Sequence, residues 1–196
     1  MVVKRLGRVA YEWALESMRS FTAARSADTP DELWLLEHHP VYTLGQGAGH
    51  PGVGGAIPLV KSDRGGDITY HGPGQLVAYT LVDLARRGIT VRQFVWLLEQ
   101  AVIDLLGARG ERRAGAPGVY VDGAKVAALG IRVRQGRAYH GVSLNVDMDL
   151  APFRAIDPCG YPGLAVTQLR DLGYTESADL AGERLAQHLV RRIEHA

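Results

Sequence analysis

Residues 90–106 carry a continuous stripe of apolar side chains at helical spacing. The stripe runs from Val91 to Leu106 in steps of three and four residues, which is the repeat of one face of an α-helix. Thr90 is a favourable N-cap residue, and Gly107 directly follows the last apolar pair. A helix with so much apolar surface needs another layer to cover, so we expect it to pack on a sheet and to carry core residues rather than chemistry.

Amphipathic spacing predicts two further helices, over residues 8–27 and 179–195. In both segments apolar residues recur every three or four positions, as at Tyr11, Ala14 and Met18. With 196 residues the chain has the length of one well-packed domain and is short for two. We therefore expect a single domain over residues 1–196.

Strands are predicted on both sides of the central helix. The segments with extended patterns are 32–39, 40–47, 57–60 and 76–82. Asp122 with Gly123 is a strong hairpin signal, and Gln135 with Gly136 is a weaker one. Residues 118–149 are therefore expected to form strands joined by short turns.

Lys125 is unusual because only three of the 22 basic side chains in the chain are lysines. Lysine can lose its proton in a protein whereas arginine cannot, so a retained lysine is a candidate proton carrier. Strand alternation places Lys125 on the same side as Ala127 and Leu129, and Arg132 on the other side, unless a bulge at Gly130 breaks the alternation. A lysine on an apolar face is costly unless it is paired or deprotonated, so this position predicts a partner or a function.

His140 lies on the next predicted strand. Alternation places it on the same face as Val142, Leu144 and Val146. We interpret it as a hydrogen-bonded core residue in preference to a catalyst.

Residues 64–74 are rich in glycine and precede the apolar strand. Glycine lets the backbone approach a ligand closely, so a binding loop is one interpretation and a plain hairpin is the other. The spacing fits neither a phosphate-binding P-loop nor a dinucleotide-binding loop.

Cys159 is the single cysteine and lies in the turn-forming sequence DPCGYPG, residues 157–163. It is either a small buried hydrophobe or a nucleophilic thiol. A free thiol has a pKa of about 8.5, and one ammonium about 4 Å away could favour the thiolate by up to roughly 4 kcal/mol. Lys125 precedes it by enough chain for a hairpin and a return, and a Cys-Lys pair would suit acyl transfer.

The composition excludes several classes of protein. A net charge of +1 provides no general attraction to nucleic acid or membranes, and one cysteine cannot form an intrachain disulfide. No apolar run approaches the length of a membrane span, and the N-terminus lacks a signal-peptide core. The cytoplasm is the expected compartment, and no metal site is predicted.

Five stretches of the chain together resemble the lipoyl(octanoyl) transferases. They are RGGDITYHGPGQLVAY at 64–79, EHHPVYTLGQGA at 37–48, GVYVDGAKVAALGIRV at 118–133, HGVSLNVDMDL at 140–150 and DPCGYPG at 157–163. The match follows the family order through most of the chain. Gln168 departs from it, since many members have a small hydroxyl residue there.

The resemblance implies an α/β fold of the α+β type, with a mixed, largely antiparallel sheet backed by helices, similar to the biotin and lipoate protein ligase catalytic domain. It implies transfer of an octanoyl (or lipoyl) group from acyl carrier protein to a lysine of a lipoyl domain, in 2-oxoacid dehydrogenases and the glycine cleavage H protein. No cofactor is implied, because the octanoyl group is a substrate carried on the phosphopantetheine of the carrier.

By the same resemblance, Cys159 forms the acyl thioester and Lys125 lowers its pKa and acts as acid and base. The implied acyl-binding residues are Arg64, Gly65, Gly66, Asp67, Ile68, Thr69, Tyr70, His71, Ala128, Leu129, Gly130, Gly141, Val142 and Ser143. His71 and His140 are candidates for orienting the loop that carries the cysteine.

Two other functions stay open at this point. An ATP-dependent lipoate-protein ligase of similar fold would need no nucleophilic cysteine, and a non-catalytic module would merely bind acyl carriers. Arg132, Arg134 and Arg137 form a candidate docking patch for an acidic partner, although a solvated strand face is the alternative.

Overall fold

The computed structural model describes residues 1–49, 55–156 and 164–196. Its helices and strands are β1 Val2–Val9, α1 Tyr11–Ala24, β2 Glu32–His38, β3 Val41–Leu44, β4 Leu59–Lys61, β5 Ile68–His71, β6 Gln75–Asp83, α2 Leu84–Arg87, α3 Val91–Leu106, β7 Gly118–Val121, β8 Ala124–Arg134, β9 Arg137–Asn145 and α4 Ala178–Glu194. Helices and strands are mixed along the chain, which confirms the predicted fold class.

Most strands belong to one six-stranded sheet with the order β1-β2-β6-β9-β8-β7. Only β1 and β2 pair in parallel there, and the other neighbours are antiparallel. A second, smaller sheet has the order β4-β3-β5. The large sheet is thus mixed and largely antiparallel, as expected.

Helices α3 and α4 cover one face of the large sheet. Thr90 and Gln93 form a capping box at the start of α3, so two N-terminal backbone groups have partners. The predicted stripe is buried from Phe94 to Leu106 except at Val95, which is partly exposed, whereas Val91 at its start is 49% exposed. Within the described ranges, no helix is long and apolar enough to cross a membrane.

The opposite face of the large sheet meets α1 and the small sheet. Tyr11 and Leu15 of α1 pack against Val41 of β3, while Met18 packs on β2 and β6. This layer covers the sheet incompletely and leaves a cavity.

The N-terminal segment differs from the prediction. Helix α1 begins at Tyr11, and the preceding residues form β1, an edge strand that is exposed along most of its length. Because its side chains are not alternately buried, β1 gives no periodic signal; its pairing with β2 holds it in place.

Both predicted hairpins are present. Asp122 and Gly123 have φ of 50° and 81°, and Gln135 and Gly136 have φ of 50° and 77°. Two successive residues with positive φ are typical of the tight turns that match the twist of antiparallel strands.

A β-bulge near the start of β8 overturns the predicted orientation of Lys125. Val119 pairs with Ala127 while Tyr120 pairs with Lys125, so Val126 is an extra residue. Val126 and Ala127 both join the core under α3 and α4, and Lys125 lies on the other face. The prediction that Lys125 is buried is right, at 3% exposed, but the prediction that it shares a side with Ala127 is wrong.

The predicted face of His140 is wrong for a similar reason. His140 has φ of 63°, which interrupts strand alternation. Its ring stacks on that of Tyr139, with centroids 5.0 Å apart, while Val142 and Leu144 pack under the helices. His140 therefore lies on the face that carries the cavity.

Candidate active site

A cavity lies between the open face of the large sheet, α1, β5 and the segment before β5. Its lining includes most of the residues implied by the resemblance. These are Arg64, Gly66, Asp67, Ile68, Thr69, His71, Lys125, Ala128, Leu129, Gly130, Gly141, Val142 and Ser143.

Two predicted residues, Gly65 and Tyr70, do not line the cavity, and one, Cys159, is not described. Gly65 is outside the cavity lining, and its N–H donates to the carbonyl of Ile131 at 2.9 Å. Tyr70 packs in a separate apolar cluster, with its ring 5.6 Å from that of Phe153. Cys159 and its turn, residues 157–163, lie outside the described residues, so the Cys159 to Lys125 pairing stays a prediction.

Lys125 occupies a slot beside β7. Its Nζ donates to the carbonyl of Pro117 at 3.3 Å and lies 5.3 Å from the ring centroid of Tyr120. Gly118 forms the wall of the slot, since a Cβ there would lie 3.0 Å from Lys125 Cε and 2.7 Å from the carbonyl oxygen of Ala127. The bulge and this glycine together direct the ammonium to the cavity side.

The backbone of Lys125 is held by residues 165–167, which follow the undescribed segment. Its N–H donates to the carbonyl of Ala165 at 2.8 Å, and its carbonyl accepts from Thr167 at 2.9 Å. Val166 pairs with Lys125 as a parallel bridge and also lines the cavity. Strand β8 at Lys125 and the segment that follows Cys159 in the sequence are therefore hydrogen-bonded to each other directly.

The cavity floor is formed by small and apolar residues of three neighbouring strands. Val77, Ser143 and Ala128 pair across β6, β9 and β8, and Gly141 pairs with Gly130 in the next inward-facing row. The small side chains of Ala128 and Ser143 leave room above the sheet, whereas Gly130 and Gly141 are packed closely, since a Cβ would lie 2.8 Å from the carbonyl oxygen of Gly65 at the first and 2.1 Å from that of Ala78 at the second. Such a floor suits an unbranched aliphatic group.

Arg64 fixes the segment that covers this floor. Its Nε and Nη2 donate to Thr43 Oγ1 at 3.1 and 2.9 Å, its Nη2 also donates to the carbonyl of Thr43, and its Nη1 donates to the carbonyl of Gly65. The side chain is buried at 8% exposure. A guanidinium with this many acceptors ties the small sheet to the cavity wall.

A second group of lining residues was missed by the sequence analysis. It comprises Tyr11, Gln75, Val77, Tyr79, Asn145, Phe153 and Val166. The alternate positions 75, 77 and 79 of β6 share the cavity face, so strand periodicity applied to β6 was a usable signal. Tyr11, Phe153 and Val166 arrive from other elements and had no such signal.

Buried histidines and tyrosines surround the cavity next to α1. His38 Nδ1 donates to the carbonyl of Val9 at 3.0 Å, so its Nε2 accepts from the hydroxyl of Tyr79 at 2.7 Å. Burial lowers the pKa of His38 to about 4 and raises the pKa of Tyr79 well above its usual value. The pair is thus neutral at pH 7.

His71 has a fixed tautomer as well. Gln75 Nε2 donates to Asn145 Oδ1 and to the carbonyl of Tyr70, so Gln75 Oε1 accepts from His71 Nδ1 at 2.6 Å. Burial holds the pKa of His71 well below its ordinary value. His71 therefore presents an unprotonated Nε2.

Asp63 anchors His140, which also lines the cavity. Its carboxylate accepts from His140 Nε2 at 2.8 Å, from Tyr139 at 2.7 Å and from Arg19 at 3.0 Å. Burial raises the pKa of Asp63, but the hydrogen bonds from His140 and Tyr139 lower it by more, so it stays ionised. His140 Nδ1 is buried and has no hydrogen bond to the described part of the chain.

Two of the three arginines in the candidate docking patch, Arg132 and Arg137, form contacts within the chain. Arg137 lies 3.5 Å from Asp83 and donates to the carbonyl of Thr22, and Arg132 donates to Gln46. Gln168, which departs from the family pattern, accepts from the N–H of Met148 at 2.7 Å, so it has a local structural role.

Residues 8–190 match the family model of the lipoyl protein ligase A/B catalytic domain. An octanoyltransferase of Aromatoleum aromaticum is 63% identical over 98% of this chain and 86% of its own length. A bipartite lipoate protein ligase from Thermoplasma acidophilum has a similar structure, with a TM-score of 0.76 at 15% identity over 98% of this chain and 83% of that one. The biotin protein ligase of Aquifex aeolicus gives a TM-score of 0.58 at 10% identity, over 100% of this chain and 70% of that one.

Proposed function

The chain belongs to the lipoyl protein ligase A/B catalytic domain family, and we propose that it is an acyltransferase that moves an octanoyl group onto a lysine of a lipoyl domain. The observation that carries this proposal is the buried Lys125 in the lining of a cavity whose floor carries small and apolar residues. The high identity to a protein named octanoyltransferase over nearly the whole chain supports the same reaction.

The proposed reaction starts from a Cys159 thiolate and a Lys125 ammonium. The thiolate attacks the carbonyl carbon of the donor thioester, a new C–S bond forms as the donor C–S bond breaks, and the departing thiolate takes a proton from Lys125. An incoming lysine amine then attacks the enzyme thioester. An amide bond forms, the Cys159 thiolate leaves, and Lys125 takes the proton of the amine.

The family resemblance implies two macromolecular substrates for this reaction. The donor is octanoyl acyl carrier protein, and the acceptors are the lipoyl domains of 2-oxoacid dehydrogenases and the glycine cleavage H protein. The reaction consumes no ATP because the donor is already a thioester. The cytoplasm stays a prediction for its compartment.

An ATP-dependent ligase is the competing function, because lipoate protein ligases share the fold. Such an enzyme activates a free acid as an adenylate, so Cys159 would be dispensable. A non-catalytic carrier-binding module would form no covalent product at all.

Intact-mass measurement after mixing with octanoyl acyl carrier protein separates the three functions. We expect a mass increase of one octanoyl group without ATP, and none in a Cys159→Ala variant. Addition of a lipoyl domain should discharge the adduct onto that domain. An adduct-free enzyme, or transfer that requires ATP and free octanoate, would overturn the proposal.

A further inference from the structure

Strands β8 and β9 separate from each other beside the cavity. Their pairing runs along both strands and ends at Ala127 and Leu144. Beyond this point residues 165–169 lie between the two strands, because their backbone is hydrogen-bonded to Lys125 of β8 on one side and to Asn145 of β9 on the other. The position of Lys125 relative to β9 therefore depends on this inserted segment.

The side chain of Asn145 forms a second link to the inserted segment. Its Nδ2 donates to the carbonyl of Thr167 at 2.9 Å, and the N–H of Thr167 donates to the carbonyl of Lys125 at 2.9 Å. On the same side, the carbonyl of Asn145 accepts from the N–H of Leu169 at 3.0 Å. A single residue, Thr167, thus lies between the Asn145 amide and the backbone of Lys125.

Gln75 fixes the orientation of the Asn145 amide. Gln75 Nε2 donates to Asn145 Oδ1 at 2.9 Å and to the carbonyl of Tyr70 at 3.2 Å. The carbonyl oxygens of Tyr70 and Thr167 can only accept, so neither side-chain amide can be turned over without losing these bonds. Asn145 borders the cavity, yet its amide oxygen and nitrogen are both bonded within the protein. Such bonding is typical of a group that holds another residue in place.

A small displacement of Lys125 would change the chemistry of a neighbouring thiol. At an effective dielectric constant of about 20, moving an ammonium from about 4 to about 6 Å from a thiolate raises the thiol pKa by about one unit. The Lys125 side chain is buried at 3% exposure and lies against Gly118, so it has little room to offset a shift of its backbone.

We propose that Asn145 is a positioning residue, which holds Lys125 at its working distance through the peptide group of Thr167. Gln75 fixes the amide that makes this contact. The inference rests on the proposed function, in which the Lys125 ammonium stabilises the Cys159 thiolate. It adds to that mechanism a group that acts on the lysine and not on the acyl chain.

Alkylation by iodoacetamide tests this role, because Cys159 is the only cysteine in the sequence. The thiolate is the reacting form, so the pH dependence of the alkylation rate gives the pKa of the thiol. Asn145→Ala should raise this pKa by about one unit. It should also lower kcat of octanoyl transfer at pH 6 by at least about threefold, since the greater nucleophilicity of a more basic thiolate partly offsets the tenfold loss of thiolate.

The Michaelis constant distinguishes positioning from substrate binding. Asn145→Ala should leave KM for the octanoyl donor almost unchanged, because the amide acts on Lys125. A side chain that only contacted the acyl group would instead raise KM and leave the thiol pKa as in wild type.

Gln168→Ala is the matched control. Gln168 lies on the same inserted segment and is buried, but its amide is bonded to the N–H of Met148 and to Asp171. Its truncation removes two side-chain hydrogen bonds, as Asn145→Ala does, so both variants should show a similar fall in the thermal unfolding midpoint. Gln168→Ala should leave the pH profile of alkylation unchanged.

Gln75→Met carries the test if Asn145→Ala does not fold, and it should shift the thiol pKa in the same direction. A thiol pKa that is the same in wild type and in the folded variant would overturn the positioning role. An equal shift in Gln168→Ala would overturn it too, because general loosening of the segment would then explain the effect. A wild-type protein that forms no octanoyl adduct would overturn the proposed function instead.

Discussion

The two faces of the six-stranded sheet bury different kinds of side chain. The face under α3 and α4 is filled by aliphatic residues such as Leu98, Val102 and Leu144. The opposite face buries Lys125 and Arg64 together with three histidines. Burial of polar groups costs free energy unless each finds a partner, so the second face carries groups that stability alone would not favour. The comparison indicates that the helix-covered face supports the fold and the other face supports chemistry.

Lys125→Arg should produce the largest effect that this comparison predicts. Arginine keeps the positive charge but cannot release a proton, so transfer to an amine should fall by at least about a hundredfold. The rate of Cys159 alkylation by iodoacetamide should remain partly elevated, because it depends on the charge. Turnover equal to wild type would remove Lys125 from the mechanism.

Leu98→Ala tests the helix-covered face. Leu98 is fully buried, so its truncation should lower the free energy of unfolding by about 2–5 kcal/mol, measured by urea denaturation. The transfer rate per folded molecule should not change. Val91→Ala, at a position 49% exposed on the same helix, is the control and should have an effect within about 0.5 kcal/mol. A slower transfer rate in folded Leu98→Ala would contradict the conclusion that the helix-covered face supports only the fold.

The pH dependence of the free energy of unfolding tests the polar face of the sheet, and we expect a smaller effect there than from Leu98→Ala. His38 titrates near 4 when folded and near 6.5 when unfolded, so the unfolded chain binds the proton first as pH falls. Protonation of His38 in the unfolded chain should therefore lower the free energy of unfolding by about 2 kcal/mol between pH 7 and pH 5. His38→Gln should flatten the measured slope, and His39→Gln, at an exposed neighbouring position, should not. Equal slopes in both variants would show that His38 is not the group responsible.

The sequence predicted those parts of the fold that are determined by residues close together in the chain. The stripe of α3 and the glycine turns at 122–123 and 135–136 are defined by near neighbours, and the structure matches them. Strand β1 was missed because its pairing partner, β2, lies beyond α1 in the sequence. The bulge at Val126 was missed because the residues that hold it, at 165–167, are distant in sequence.

The candidate site was predicted from the resemblance to family motifs and not from the periodicity of apolar residues. Most of the implied residues line one cavity, although alternation alone would have put Lys125 and His140 on the wrong face. Tyr79 shares the cavity face of β6 with Gln75 and Val77, whereas Tyr11 reaches the cavity from a helix whose periodic signal describes packing. Local periodicity cannot distinguish a side chain that packs from one that lines an open space.

The bulge at Val126 limits how this protein can change over evolutionary time. Side chains alternate along a strand, so removing one residue between the turn at Asp122 and Ala127 would exchange the positions of an amine and an alkyl group across the sheet. Substitutions at this point alter one side chain, whereas a one-residue deletion would bury the amine among aliphatic groups and leave the cavity without it. The number of residues in this short stretch should therefore be inherited as strictly as the lysine itself.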